Sequence, residues 1–249
     1  MDDSFFFSIF EGLPRQGPGD DRCTKKAFEL SGLKTKDAEI LDIGCGSGMQ
    51  TIALAGLCGT CMITAVDIYQ PFLDDLNERA EKNSLLSRIR TVRASMDALP
   101  FEEDRFDLIW AEGSIFIIGI EDGINKWKNY LKPGGKIVFT EAVWFTDTPS
   151  PEVETFWQEV YPDIKREDEV CRILESEEFS NIKTFRLPDS AWRDDYYIPL
   201  EKKVLELKKQ YSGAEENELF DHLMKEIEVF EKYSAEYGYS FFIAEKGEN

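Results

Sequence analysis

Residues Glu39–Thr51 read EILDIGCGSGMQT. An apolar run broken only by Asp42 leads into three glycines at alternate positions, Gly44, Gly46 and Gly48. The run has the length and composition of a strand buried on both faces. The glycines mark a tight turn, and MQTIALAGL after them continues at helical spacing. Strand, glycine turn and helix open a doubly wound α/β sheet, in which ligands sit at the carboxyl ends of the strands.

The alternation continues outward from there. MITAVDI (62–68) reads as a second strand and QPFLDDLNERAEKN (70–83) as a helix with Phe72, Leu73 and Leu76 on one face. IRTVRAS (89–95) is a third strand and FDLIWAE (106–112) a fourth. GINKWKNYL (123–131) is a helix, stopped by Pro133-Gly134-Gly135, and KIVFTEAVWF (136–145) a fifth strand. Upstream, DDRCTKKAFELSGL is a helix capped by Asp20 or Asp21. Downstream come two helix-like segments (151–164 and 166–179), a strand at 181–188, two longer helices within 196–236, and a closing strand YGYSFFIAEK. The 188–236 segment reads as an insertion before the last strand.

Composition narrows the function classes. The chain has 249 residues and a net charge of −20, from 29 basic and 49 acidic side chains. That balance repels a polynucleotide and suits a neutral or cationic partner. No apolar run reaches the roughly 20 residues of a membrane span. MDDSFFFSIF at the N-terminus is acidic where a signal peptide is basic. A cytoplasmic protein is expected. The five cysteines are scattered; Cys58 and Cys61 form a C-x-x-C read as small residues in a helix-to-strand turn, and with a single histidine, His222, no metal site is expected.

The glycine turn departs from the dinucleotide fingerprint G-x-G-x-x-G, because Met49 stands where the third glycine would be. Asp42 points the same way: a carboxylate facing a pyrophosphate repels it but suits an ammonium or hydroxyl group. Asp67, at the end of the second strand and nineteen residues after Gly48, can accept from both hydroxyls of a ribose or cap the next helix. In ASMDALPF, a backbone N–H near Met96 and the Asp97 carboxylate can read an adenine edge.

ILDIGCGSG, AVDI, SMDALPF, FDLIWAEGSI and LKPGGKIVFTE occur in the order and spacing of class I S-adenosylmethionine-dependent methyltransferases. The chain resembles their small-molecule branch, which includes the quinone-biosynthesis C-methyltransferases, over residues 15–145. The resemblance implies one methyltransferase domain over residues 1–249. It would comprise an N-terminal lid and helix (1–37), a cofactor-binding core (38–145) and a helical insertion over the substrate site (188–236). Its fold would be a Rossmann-like, mostly parallel seven-stranded sheet with helices on both faces and an antiparallel last strand. It places S-adenosylmethionine on Gly44, Gly46 and Gly48, its ribose on Asp67, its adenine beside Ile68, Met96 and Asp97, and Asp42 and Glu112 near the methionine part. Arg15 and Gly17, in RQGPGD, would contact the cofactor carboxylate.

Methyl transfer needs alignment more than acid–base chemistry, so a base is required only if the acceptor arrives protonated. Candidate bases are Glu112, Glu141, Tyr196 and Tyr197; His222 is a surface or packing residue. SAWRDDYYIPLE, with Trp192, Tyr196 and Tyr197, together with Trp144, Phe145 and Phe5–Phe7, would line an aromatic acceptor pocket or core, and Asp194 and Asp195 beside it favour an amine. The acceptor is a small molecule whose reacting atom, nitrogen, oxygen or carbon, stays open. An NAD-linked oxidoreductase and a non-catalytic adenosyl-binding protein are the alternatives. The 196–236 helices offer a surface for a homodimer.

Overall fold

A computed structural model describes residues 3–248. Its strands are β1 (Glu39–Ile43), β2 (Met62–Asp67), β3 (Ile89–Arg93), β4 (Phe106–Ala111), β5 (Leu131–Trp144), β6 (Lys165–Arg166), β7 (Phe179–Arg186) and β8 (Tyr237–Lys246). They form one sheet in the order β3-β2-β1-β4-β5-β8-β7, with β6 on the edge of β5. β1 to β5 run parallel; β8 is antiparallel to both β5 and β7. The strand order reverses between β1 and β4, so the carboxyl end of β1 lies at the crevice where open α/β sheets bind ligands.

Ten helices accompany the sheet among the described residues: α1 (Asp3–Phe10), α2 (Asp21–Ser31), α3 (Met49–Leu57), α4 (Gln70–Lys82), α5 (Ile120–Trp127), α6 (Pro151–Val160), α7 (Glu167–Ser176), α8 (Asp189–Trp192), α9 (Ile198–Leu207) and α10 (Ala214–Tyr233). Strand alternation sorts the core into two clusters. Ile40, Ala65, Trp110, Val138 and Phe241 pack with α2, α3, α4 and the 188–236 helices. Leu41, Val66, Ile109, Phe139 and Phe242 pack with α5 and α7.

Most element boundaries follow the sequence pattern. Asp20 caps α2 by accepting the Cys23 N–H at 2.7 Å, and Gly32 closes it in the left-handed region. Three features differ from expectation. The sheet has an eighth strand, β6, whose two residues are too few to show a period. The fifth helix ends at Trp127, and Pro133–Gly135 lies inside β5 as a bulge: Phe106 pairs with Leu131 but Leu108 with Lys136. The third is at Cys58 and Cys61, expected as small residues of the helix-to-strand turn and joined there by a disulfide. The N-terminal apolar run is a helix, α1, within the expected lid and helix, and its Phe7 ring stacks on Tyr69 at 4.9 Å. Met1, Asp2 and Asn249 lie outside the described residues.

The β1–α3 turn depends on close packing. Gly48 has φ +81°, and a Cβ there would lie 2.2 Å from Leu76 Cδ1 on α4. Gly48→Ala is expected to cost about 2–4 kcal/mol in urea unfolding, from backbone strain plus overlap. Adding Leu76→Ala should remove the overlap but leave the backbone strain while adding a cavity cost, so the double variant's cost should fall short of the sum of the singles.

Candidate active site

β1 delivers Asp42 one residue before the turn. It is fully buried, accepts the Thr51 hydroxyl at 2.5 Å on Oδ2, and leaves Oδ1 without a partner. Burial, with the charges of Glu112 and Asp67 adding to it, pushes this carboxyl up to about 7 against the hydrogen bond from Thr51. The chain leaves β1 through Gly44 and Cys45, whose N–H groups both donate to Val66 O at 2.8 and 2.9 Å. The next N–H, of Gly46, donates to Asp67 Oδ2 at 2.9 Å, while Asp67 Oδ1 accepts from Tyr69 N at the same distance. Asp67 therefore ties both the glycine turn and the chain entering α4 to the end of β2, while α4 itself starts from Tyr69 without a side-chain cap. Its carboxyl is raised by burial, against those backbone bonds.

The glycines answer first to protein neighbours. A Cβ at Gly44 would meet Ser114 Cβ at 2.4 Å, and one at Gly46 would meet Gln16 Oε1 at 2.5 Å. Met96 lies over Gly44, its methyl carbon 3.5 Å from that Cβ position, and its carbonyl accepts the Trp127 indole N–H. Asp97 and Ile68 are exposed at the rim. Ser95 and Lys126 hold the Asp97 carboxyl below its ordinary value.

The segment between α1 and α2 folds back over this turn. Gln16 Oε1 accepts the Ser47 N–H at 2.7 Å, and Pro14 O accepts the Ser47 hydroxyl at 3.4 Å. Arg15, itself buried, donates to Glu112 Oε2 at 3.2 Å and Asp21 Oδ1 at 2.8 Å, leaving Nε unpartnered. Glu112 also takes the Thr24 hydroxyl and the Trp110 indole N–H on Oε1. Burial raises its carboxyl despite the Arg15 charge. Gly17 is half-buried and faces open space. Gln16 was missed in the sequence: its partner is a backbone N–H thirty-one residues away, which no local pattern announces.

On the acceptor side the structure redistributes the expected residues. Trp192, Tyr196 and Tyr197 are buried; Trp192 stacks on Phe230 at 4.5 Å, and Tyr197 donates to Glu226 Oε1 at 2.9 Å. Trp144 is half-buried against Tyr237. Phe145 turns away to lie beneath Arg186, on the other face of the sheet. Phe5 packs against Tyr211. Asp194 is exposed and Asp195 half-buried; the carboxylates facing inward here are Glu141 and Glu226. Glu226 was hidden in the sequence by the polar face of α10. His222 is exposed beside Phe156. Among the described residues no group of three or more His, Cys, Asp or Glu is gathered for a metal, and no helix is long and apolar enough to cross a membrane.

A glycine turn at the switch point, a carboxylate at the end of β2 and a polar loop after β3 define a Rossmann-like protein built for an adenosyl ligand. Residues 40–135 match the family model described as a methyltransferase domain. The chain is 30% identical over 116 residues to a ubiquinone/menaquinone biosynthesis C-methyltransferase of Azotobacter vinelandii, covering 46% of each chain. It is 29% identical over 131 residues to 27-O-demethylrifamycin SV methyltransferase of Amycolatopsis mediterranei, covering 52% of this chain and 46% of that one. Its fold matches a methyltransferase from Geobacter sulfurreducens in complex with S-adenosylhomocysteine, with a TM-score of 0.82, 18% identity and 98% coverage of both chains. Residues 40–135 thus resemble a methyltransferase domain on a fold shared with solved methyltransferases, and the chain spans about half the length of the curated relatives it matches.

The residues present fit the family's cofactor. Asp42 offers a buried acceptor oxygen with no protein donor, and the turn before Met49 presents backbone without side chains at Gly44, Gly46 and Gly48. Two outcomes follow. Gln16→Ala should orphan the Ser47 N–H and cost about 1–3 kcal/mol in unfolding free energy. Because folding keeps Asp42 protonated, the unliganded protein should lose stability as pH rises from 3.8 through about 7. Asp42→Asn should flatten that fall, a difference on the order of 4 kcal/mol between denaturation at pH 4 and pH 8.

Proposed function

We propose that this chain transfers a methyl group from S-adenosylmethionine to a small-molecule acceptor. The observation that carries the reading is Asp42, whose Oδ1 is buried and unpartnered directly behind the glycine turn. Such an oxygen favours a cationic donor and disfavours a pyrophosphate, which sets the nicotinamide dinucleotide reading aside. In this reading Gly44–Gly48 and Asp67 take the ribose and the amino-acid part, with Asp42, Arg15, Gly17 and Glu112 around the latter. Ile68, Met96 and Asp97 flank the adenine. Bound there, the cofactor supplies an electrophilic methyl group on a sulfonium sulfur. The acceptor atom forms its bond to that carbon as the S–C electron pair returns to sulfur, so the protein's task is to align the acceptor and exclude water.

The domain plan belongs to the same reading: residues 1–37 as a lid, 38–145 as the cofactor core and 188–236 as the cover over the acceptor. Lys203 on α9 supports the plan by donating to Ser8 O at 3.1 Å and to Glu11 O, joining cover and lid. The acidic balance supports a cytoplasmic protein with no polynucleotide acceptor; in a reducing compartment Cys58 and Cys61 would stand as thiols. Ile198 and Leu205, both exposed and seven residues apart on α9, support a homodimer surface.

Calorimetry with S-adenosylhomocysteine and S-adenosylmethionine tests the reading, with micromolar binding expected. Asp67→Ala should weaken it by about 1–3 kcal/mol, the scale of a lost charged hydrogen bond. A folded protein that binds neither would overturn it.

A further inference from the structure

β5 outruns its neighbour. Its last pairing with β4 is Ala111 with Phe139, and β6 takes up the same edge only from Val143 with Lys165. Thr140, Glu141 and Ala142 therefore border a gap in the sheet edge, at the carboxyl end of β4. Successive N–H groups of β5 point to opposite edges. The Phe145 N–H donates to Glu236 O on the β8 side, so that of Ala142 points into the gap. There it meets Glu141 Oε1 at 3.0 Å. Glu141 is 1% exposed, and its Oε2 has no hydrogen-bond partner.

The walls of the gap are aromatic. Tyr161, just before β6, lies beside Glu141, and its ring centroid is 5.9 Å from that of Phe116, which follows β4. Tyr239 on β8 packs against Gly113, at 3.4 Å from its Cβ position, and edge-on to Trp192 at 4.8 Å. Tyr239 also feels the charges of both Glu141 and Glu226. Among the described residues no Lys, Arg or His pairs with either carboxylate; Lys165 acts on Glu141 only at a distance.

We infer that the methyl acceptor is a primary or secondary amine, which enters this gap as an ammonium ion, pairs with Glu141 Oε2 among the rings of Tyr161, Tyr239 and Phe116, and yields its proton to that carboxylate before attack. This inference rests on the proposed methyl transfer. A buried carboxylate without a cation is an expensive group. Aromatic faces and a carboxylate together are the chemistry that recognises an alkylammonium ion. A phenol or carboxylate acceptor would bring further acidity to a site that already holds unneutralised acids.

The proton balance also suits an amine. Burial pushes the Glu141 carboxyl up to about 8, against the Ala142 N–H, the nearby Tyr161 and the more distant charge of Lys165. Below that pH an incoming ammonium ion displaces the carboxyl proton to solvent, leaving a carboxylate paired with a cation. The carboxylate then accepts one N–H proton. The freed nitrogen lone pair forms the N–CH₃ bond while the S–CH₃ pair returns to sulfur. Attack leaves the product as an N-methylammonium ion, which departs with its charge, and the proton held by Glu141 passes to solvent or stays until the next ammonium ion displaces it. The other titratable groups that act on Glu141 are Tyr161 and Tyr239, with Lys165 farther off. Burial raises both tyrosines, so they stay neutral through the range in which Glu141 titrates.

The test follows labelled methyl transfer by the full chain to benzylamine, butylamine and N-methylbutylamine, against phenol, butyrate and acetylacetone. Calorimetry with S-adenosylhomocysteine runs alongside. Turnover confined to the amines is expected. Glu141→Gln should lower kcat/KM for them about a hundredfold and abolish its levelling above about pH 8, leaving the unbroken rise of free amine with pH, with melting temperature and S-adenosylhomocysteine affinity unchanged. Glu141→Asp should restore part of the rate and of the levelling. Methylation of phenol, butyrate or acetylacetone in preference to the amines would overturn the inference. So would a Glu141→Gln variant with the parent pH profile, or no turnover of any amine by protein that binds S-adenosylhomocysteine. Failure to bind S-adenosylhomocysteine would remove the methyltransferase reading as well.

Discussion

Buried carboxyl groups at the carboxyl ends of the strands, whose ionisation burial opposes, are the constraint to which the rest of the structure responds. β1 contributes Asp42, β2 Asp67, β4 the adjoining Glu112 and β5 Glu141, and one guanidinium, that of Arg15, reaches into them. Each carboxylate is accommodated differently. Asp67 takes two backbone N–H groups. Glu112 takes Arg15 and two neutral donors. Asp42 and Glu141 each keep one oxygen without a donor, and these are the two acids that burial lifts to about 7 and about 8. A fold selected only for stability would replace such groups by apolar ones of the same volume. Retaining them makes sense where the missing positive charge comes with the ligands: a sulfonium-bearing amino acid behind the glycine turn, and an ammonium ion in the gap beside β5.

The parallel sheet makes this arrangement natural. Every βα connection begins at the same edge, so acids placed at strand ends in distant parts of the sequence converge. The topological switch between β1 and β4 opens the crevice between them. The glycine turn then works by subtraction. Its positive φ values and the closeness of Ser114, Gln16 and Leu76 forbid side chains, so the turn lies flat across the end of β1 and leaves Asp42 Oδ1 behind bare backbone. A turn with a β-carbon at any of the three positions would have to move outward, taking the start of α3 and the Thr51 hydroxyl with it.

How much of this was legible in the sequence depended on the range of the interaction. β1, β2 and β4 could be read because double-sided burial makes continuous apolar runs, and the turn because glycine is punctuated by φ rather than by neighbours. Asp42, Asp67 and Glu112 were visible for the same reason: a charged residue ending an apolar strand is conspicuous. The Pro133–Gly135 bulge was read as a stop because proline and glycine look alike in a turn and on an irregular strand edge. Glu226 was invisible, since an acid on an amphipathic helix is solvent-facing by default, and only the packing of α10 over Tyr197 turns it inward. Gln16 was invisible because its role is a single long-range bond. The acids flagged nearest the aromatic cluster, Asp194 and Asp195, occupy the outer side of the π-helical turn that links α8 to α9.

The N-terminal strap is held by contacts of unequal cost. Gln16 to Ser47 and Lys203 to the Ser8 and Glu11 carbonyls are polar and can be exchanged for water at modest net cost, whereas Arg15 and Glu112 form a buried pair that is costly to separate. The apolar contacts beneath α1, such as Phe7 on Tyr69, anchor the other end of the strap to α4. The strap thus has an apolar root and a polar tip. Gln16 at the tip reaches the glycine turn, while Lys203 of α9 holds the Ser8 and Glu11 carbonyls at and just after α1, so the strap touches the β1–α3 turn and α9 at opposite ends. Arg15 sits between them as the one cation on Glu112, and lifting the strap there would leave that buried carboxylate unpaired.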